Sequence, residues 1–485
     1  RQEGGFVDLV RQLGDHERAV PAFRAVLSAS SGDADALAGL GMSYVALGRE
    51  ADAVDPLQKA VGMRPQIAAL QGELGRALVT LGRLEKAIPH LAQAAELDPK
   101  DTGALFVLGR AQADKGDHAQ ALNAFKRATV LSPENIDVHR ALGRSAAELG
   151  QHADAASAWQ SVTRAQADDA DAWVALSRAR LGLGDPVRAA EALREALTHE
   201  PAAPALHAEL GDLWFTVERY QDALASYRSA VGLSPDNGAL HLKLGLAHKA
   251  LGQVDARGSF REATQRAPQL RHAWVEQARA EQAAGSFDTA VDAWTRALAL
   301  DPIDAEGQSA LGTLRLELGL EEAAIDPLKK AVELSPVDPM IRARLGAAQL
   351  ATNDAQAALE NLEKAASLGL EDATGWTDVG RARLAAGQHH RAIAAFDDAL
   401  RLDSRQVGAL VGKGDALAAT GHHGDAVMAY RAAISDGGPL PTGVHASLGK
   451  SLGALGRHAE AVVALSAAHE AAPGDATVLA ALGTA

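Results

Sequence analysis

The chain has 485 residues, a formal charge of -15, no cysteine and few aromatic side chains. Its acidic balance argues against wholesale nucleic-acid binding, which needs a basic footprint. The missing cysteine excludes disulfides and thiolate metal sites and leaves the compartment open. No apolar run approaches the roughly 20 residues of a membrane span, and no signal peptide is visible.

Length alone would predict about three domains, but a period of 34 residues overrides that expectation. Gly41, Gly75, Gly109 and Gly143 stand 34 apart, Ser177 holds the next place, and Gly211 and Gly245 follow. After a one-residue deletion the series resumes at Ala278, Gly312, Gly346, Gly380 and Gly414; after an insertion it ends at Gly449 and Gly483. A period of this size predicts a repeat array, in which each unit touches only its neighbours.

Each period reads in the same order. A first helix carries the Leu-Gly pair. Seven residues later another glycine (Gly14, Gly48, Gly82 and onward) fits the positive-φ end of that helix, with Glu218 and Asn353 as exceptions. Five further on comes an alanine such as Ala53 or Ala121, implying a close helix crossing, and four beyond it a large apolar group such as Leu57, Phe125 or Trp159. This i, i+4, i+7 spacing is one face of a second helix. A proline such as Pro65, Pro99 or Pro133 then sets the turn into the next unit.

The segment ALAGLGMSYVALGREADAVDPLQKAVGMRP, residues 36–65, carries these positions in register. It closely resembles the tetratricopeptide repeat (TPR) family. The resemblance covers essentially the whole chain and implies an all-α fold, a right-handed α-solenoid superhelix of helix-turn-helix repeats. By register one continuous array spans residues 1–485. Its repeats begin at Arg1, Ala34, Ala68, Thr102, Ile136, Ala170, Pro204, Gly238, Arg271, Ala305, Pro339, Ala373, Val407 and Thr442, with a partial repeat at 476–485. Arrays normally close with a polar capping element, so the interior-like ending VLAALGTA reads as part of something longer.

Three places are irregular. One residue is missing near Val254–Asp255, the stretch Ser435–Pro441 lengthens a turn, and Leu368–Glu371 lacks the closing proline. Neutral drift in a surface turn is the expectation at Leu368–Glu371; a local change of superhelical pitch stays open at the other two.

The search for chemistry finds no catalytic set. Gly443–Ser451 looks like a phosphate loop but has five residues where four are needed, and it falls on a first helix. His16, His118, His152, His389, His423 and His458 all occupy one repeat position, two after the turn glycine. Neighbouring copies roughly 10 Å apart cannot share an ion, so they read as polar starts of second helices. Neither cofactor nor metal is expected, and the chain reads as non-enzymatic.

The resemblance places ligand-facing residues at the second, fifth, ninth and twelfth positions of each first helix, on a concave groove. The ninth holds Arg76, Arg110, Arg144 and Arg178 in four consecutive repeats, and Arg140 joins from a fifth. Arginine's planar fork suits carboxylates. Arg110 is expected to be neutralised by Asp114 and Asp137, and Arg144 by Glu148 and Asp171; Arg76 and Arg178 lack such partners and read as binding residues. Val174, Leu181, Phe215, Leu242 and Leu246 are the candidate apolar anchors. Together they predict an acidic or amphipathic peptide across residues 70–250. No ninth position holds asparagine, so the carboxylate clamp of chaperone-binding members is not expected.

The leading expectation is therefore a scaffold that gathers partner proteins, without nucleic acid or membrane insertion. One alternative is the recognition arm of a larger enzyme such as a glycosyltransferase, but the asparagine ladder of that family is missing. The other is self-association through the uncapped C-terminal end. High alanine and glycine with arginine over lysine point to a GC-rich bacterial source, and the expected location is the cytoplasm, with the periplasm left open.

Overall fold

A computed structural model describes residues 15–435, 440–441, 443–473 and 476–484. Every element among them is a helix or a short connection. They contain twenty-eight α-helices and no strand. Packing divides them into two compact units, the first reaching Asp236 and including Ala250–Gly252, the second holding Asn237–Lys249 and the rest from Gln253.

The first unit contains α1 (His16–Ala29), α2 (Ala34–Ala46), α3 (Glu50–Met63), α4 (Ala68–Thr80), α5 (Leu84–Leu97), α6 (Thr102–Asp114), α7 (His118–Leu131), α8 (Ile136–Glu148), α9 (His152–Ala165), α10 (Ala170–Gly182), α11 (Pro186–His199), α12 (Pro204–Thr216) and α13 (Tyr220–Leu233). Each packs on the next, and α2, α4, α6 and α8 also touch in succession, so the first helices of successive hairpins share one face. The second unit continues the pattern with fifteen helices, whose first helices begin at Gly238, Arg271, Ala305, Pro339, Ala373, Val407, Val444 and Ala476.

The glycine of the Leu-Gly pair is explained by contact. A methyl group on Gly109 would lie 2.5 Å from the Phe125 ring, and one on Gly143 would lie 2.8 Å from Trp159. The bare backbone of the first helix is where the large side chain of the second helix seats. Where the position holds Ser177 or Ala278, the side chain is itself buried, at 2% and 0% exposure.

Helix ends follow the chemistry of the turns. Asp33, Asp101, Asn135 and Asp169 each accept a backbone N–H of the helix they precede. The turn residues Gly48, Gly82, Gly116 and Gly150 have positive φ, and so do the two non-glycine exceptions, Glu218 at 60° and Asn353 at 62°.

A second recurrence was not expected. The fourth residue of many first helices donates to the carbonyl oxygen six residues earlier, in the preceding turn. Gln71 reaches Pro65 at 2.9 Å, Trp173 reaches Ala167 at 2.8 Å, Trp274 reaches Pro268 at 2.8 Å and Arg342 reaches Pro336 at 2.9 Å. A turn carbonyl that would otherwise rely on water gains a partner.

The irregular places resolve individually. At Leu368–Glu371, Gly369 turns with φ 89° in place of the proline, Leu370 is buried at 4% exposure, and Trp376 donates to its carbonyl at 2.8 Å. The turn is thus a built substitute with a core contact, which corrects the expectation of neutral surface drift. Near Val254 the shortened connection leaves that side chain 86% exposed. Most of Ser435–Pro441, the first helix of the first repeat with Gly14, and Thr442 lie outside the described residues.

Candidate functional site

In the first unit, α6, α8 and α10 border a groove of about 1130 Å³. Phe106, Phe125 and Trp159 line it together with small alanines, and Arg110, Arg140, Arg144 and Arg178 border it with Asp114, Asp137, Glu148 and Asp171. The structure therefore brings four of the five predicted arginines to one place; Arg76 lies outside this lining. Phe106, at a fifth helix position, was missed by sequence reasoning although its slot is one the family exposes. Its ring lies 6.1 Å from that of Phe125, and the Arg110 guanidinium sits 5.9 Å above it.

The pairing of the arginines corrects the expectation drawn from sequence. Arg76 meets Glu73 at 3.0 Å and Asp101 at 3.9 Å. Arg178 faces Glu209 at 3.7 Å, and Arg140 is bound to Asp169 and Gln166. Arg110 and Arg144, expected to be neutralised, have no carboxylate within 4.0 Å among the described residues. The reason is the direction in which helical side chains lean. They point toward the helix N-terminus, and an acid precedes its cationic partner in the favoured order. An arginine at the ninth position thus reaches back to the sixth. Glu73 holds Arg76, Glu276 holds Arg279 at 3.2 Å, and Asp378 holds Arg381 at 3.3 Å. The sixth positions before Arg110 and Arg144 are Val107 and Ala141, so nothing there can bind them.

The apolar candidates fare unequally. Leu181 is 48% exposed. Val174 is half-buried, and so is Phe215, whose ring meets Tyr220 edge-on at 5.2 Å. Leu242 belongs to the second unit and is buried at 7% exposure against Ala256 and Phe260, with Leu246 packed on the same cluster. Leu242 is thus a core residue, which corrects its reading as an anchor, while Leu246 is half-buried against the same cluster. The side chain that seats against Gly245 in the shortened repeat is Phe260, and its neighbours close over Leu242.

Other ionisable groups are built into the packing. Tyr227 donates to Asp212 at 2.8 Å and Tyr430 to Asp415 at 2.7 Å. Burial and then the carboxylate push both phenols up, and burial raises Asp415. Burial also raises the Asp378 carboxyl to about 6, against the pull of Arg381. Glu281 is fully buried; burial opposes its ionisation, but Arg257 at 2.5 Å and Arg261 at 2.7 Å outweigh it and hold its carboxyl low. His118 and His152 begin α7 and α9 beside the groove. No group of three or more metal-ligating side chains gathers among the described residues, and none of their helices is long and apolar enough to cross a membrane.

A stack of antiparallel helical hairpins with a short-turn period of 34 residues defines a helical-repeat protein of the solenoid class. The family model described as tetratricopeptide repeat matches residues 6–66, 73–136, 140–206, 174–238, 209–271, 275–339, 377–441 and 411–476. The chain belongs to that family. No curated protein matches its sequence. Among solved structures it is similar to the APC/C hetero-tetramer Cut9–Hcn1, at 15% identity over 92% of this chain and 95% of that one, with a TM-score of 0.37. It is similar to Naa15/Naa10 bound to HypK-THB at 15% identity, covering 97% and 84%, with a TM-score of 0.41. It also resembles YrrB, described as a TPR protein with an unusual peptide-binding site, at 21% identity over 40% of this chain and 97% of that one, with a TM-score of 0.34.

Proposed function

We propose that this chain is a non-enzymatic scaffold that holds an amphipathic segment of a partner protein in the groove bordered by α6, α8 and α10. One observation carries the reading: Arg110 and Arg144 stand exposed on successive first helices, with no ion-pair partner among the described residues, above an aromatic floor. Exposed pairs within the chain contribute only about 0–1 kcal/mol, so folding gives little reason to keep two cations there. The groove's four arginines are matched by four carboxylates. That balance favours a segment carrying both signs over a purely acidic one. Arg76 and Arg178, already engaged, become secondary.

The test is peptide display against the intact chain. Peptides enriched by the wild type should be lost on Arg110→Glu/Arg144→Glu and retained on Arg164→Glu/Arg194→Glu, two exposed arginines of second helices. Equal retention on both variants overturns the groove as the binding site.

A further inference from the structure

The charges in this groove are arranged in rows, and the rows specify a ligand. Asp137 and Asp171 are the second residues of α8 and α10, Arg110 and Arg144 the ninth residues of α6 and α8, and Asp114 and Glu148 the last residues of α6 and α8. All six border the groove, all are exposed, and none has an ion-pair partner within 4.0 Å among the described residues. A cationic row is therefore flanked on both sides by anionic rows. At a rise of about 1.5 Å per residue, the flanking rows lie about 10 Å and about 6 Å from the central one. Successive first helices pack about 8–10 Å apart, which sets the spacing along each row.

We infer that the groove takes an α-helix bearing an acidic stripe with a seven-residue period, edged on both sides by lysine or arginine. Seven residues of helix advance about 10.5 Å and return to nearly the same face, matching the step between Arg110 and Arg144. The body of such a helix is about 10–12 Å across, so basic side chains on its flanks reach the outer rows. A narrower extended chain satisfies the central row and leaves the outer carboxylates unmet. The apolar residues between the stripes would lie on Phe106, whose ring already carries Arg110. This inference rests on the groove reading above and specifies its partner.

The experiment uses three synthetic peptides and fluorescence anisotropy with the intact chain. The first is helical with glutamate every seven residues flanked by lysine; the second has the same composition scrambled; the third is proline-rich and extended with glutamate every third residue. The first should bind roughly tenfold tighter than the other two at low salt. Arg110→Glu/Arg144→Glu, checked for helix content by circular dichroism, should erase that preference. A peptide with the stripe changed to lysine and the flanks to glutamate should then bind the variant better than the wild type. Equal binding of the scrambled peptide, or best binding of the extended one, overturns the heptad stripe. If displayed peptides still depend on Arg110 and Arg144 in that case, the groove stands and only the stripe falls; if they do not, the groove falls as well.

Discussion

A single residue can carry conformational cost that its repeat relatives avoid. Glu218 occupies the turn that glycine fills in most repeats, and it takes φ 60° there. The left-handed region costs an ordinary residue about 1–2 kcal/mol, so Glu218→Gly should raise stability by about 1 kcal/mol, read as a higher urea midpoint with unchanged slope. A drop would mean that the glutamate side chain offsets its backbone strain. Asp378 carries cost of another kind. The residue is 8% exposed, and burial raises its carboxyl to about 6, against 3.8 when free. Because the folded pKa is the higher one, the folded state holds more protons between these values. The stability contribution is full below about pH 4, falls as pH rises through about 6, and is absent above it. At pH 7.5 the buried charge costs about 2–3 kcal/mol at ~1.4 kcal/mol per pH unit. Asp378→Asn should therefore stabilise the chain at pH 7.5, and the gain should shrink toward pH 4. A gain independent of pH would place its origin elsewhere.

At the scale of the hairpin, what could be read from sequence was whatever depends on backbone and spacing. The Leu-Gly register placed the starts of first helices at Ala34, Ala68, Thr102 and Ile136, where they lie, and the glycine slot marked Glu218 as a strained exception. The partners of the ninth-position arginines were not legible by the same means. Spacing alone admits i+4 and i−3 equally, and only the backward lean of helical side chains selects Glu73 for Arg76 and leaves Arg110 over Phe106. Leu242 was misplaced because burial at a fifth position depends on how the next hairpin closes, not on the slot itself. Phe106 was legible in principle, since its slot was named and only its residue type was overlooked. Hairpin packing also gives a paired prediction. In Gly75→Ala the new methyl would lie 2.5 Å from the Leu91 side chain and 3.3 Å from its backbone nitrogen, whereas nothing lies within 4 Å at Gly62. Gly75→Ala should cost about 1–3 kcal/mol through overpacking. Gly62→Ala, on an exposed part of α3, should gain up to about 0.5–1 kcal/mol. Chemical denaturation of the two variants measures both, and a neutral Gly75→Ala would mean that the crossing has slack the contact distances do not suggest.

Over the whole chain, the net charge of -15 and the free arginines of the groove act in opposite senses. The surface field favours approach of cations, while the central row of the groove would select an anion, so the proposed ligand, edged with basic residues, would satisfy both. Stability is distributed as locally as charge. In a stack where each hairpin is buried by its neighbours, a core substitution weakens its own interfaces and leaves distant ones intact. Phe125 offers the sharpest trial, because it is 1% exposed, seats on Gly109 and floors the groove. Phe125→Ala should cost about 3–5 kcal/mol by the usual range for such truncations. Hydrogen exchange should then accelerate in α6 to α9, while α1, α2, α12 and α13 keep wild-type rates. Binding through Arg110 and Arg144 should weaken in step with the loss of protection in α6 and α8. Uniform acceleration across the first unit would instead mean that these hairpins unfold as one cooperative body, and the groove would then draw its rigidity from the whole unit rather than from the two hairpins beneath it.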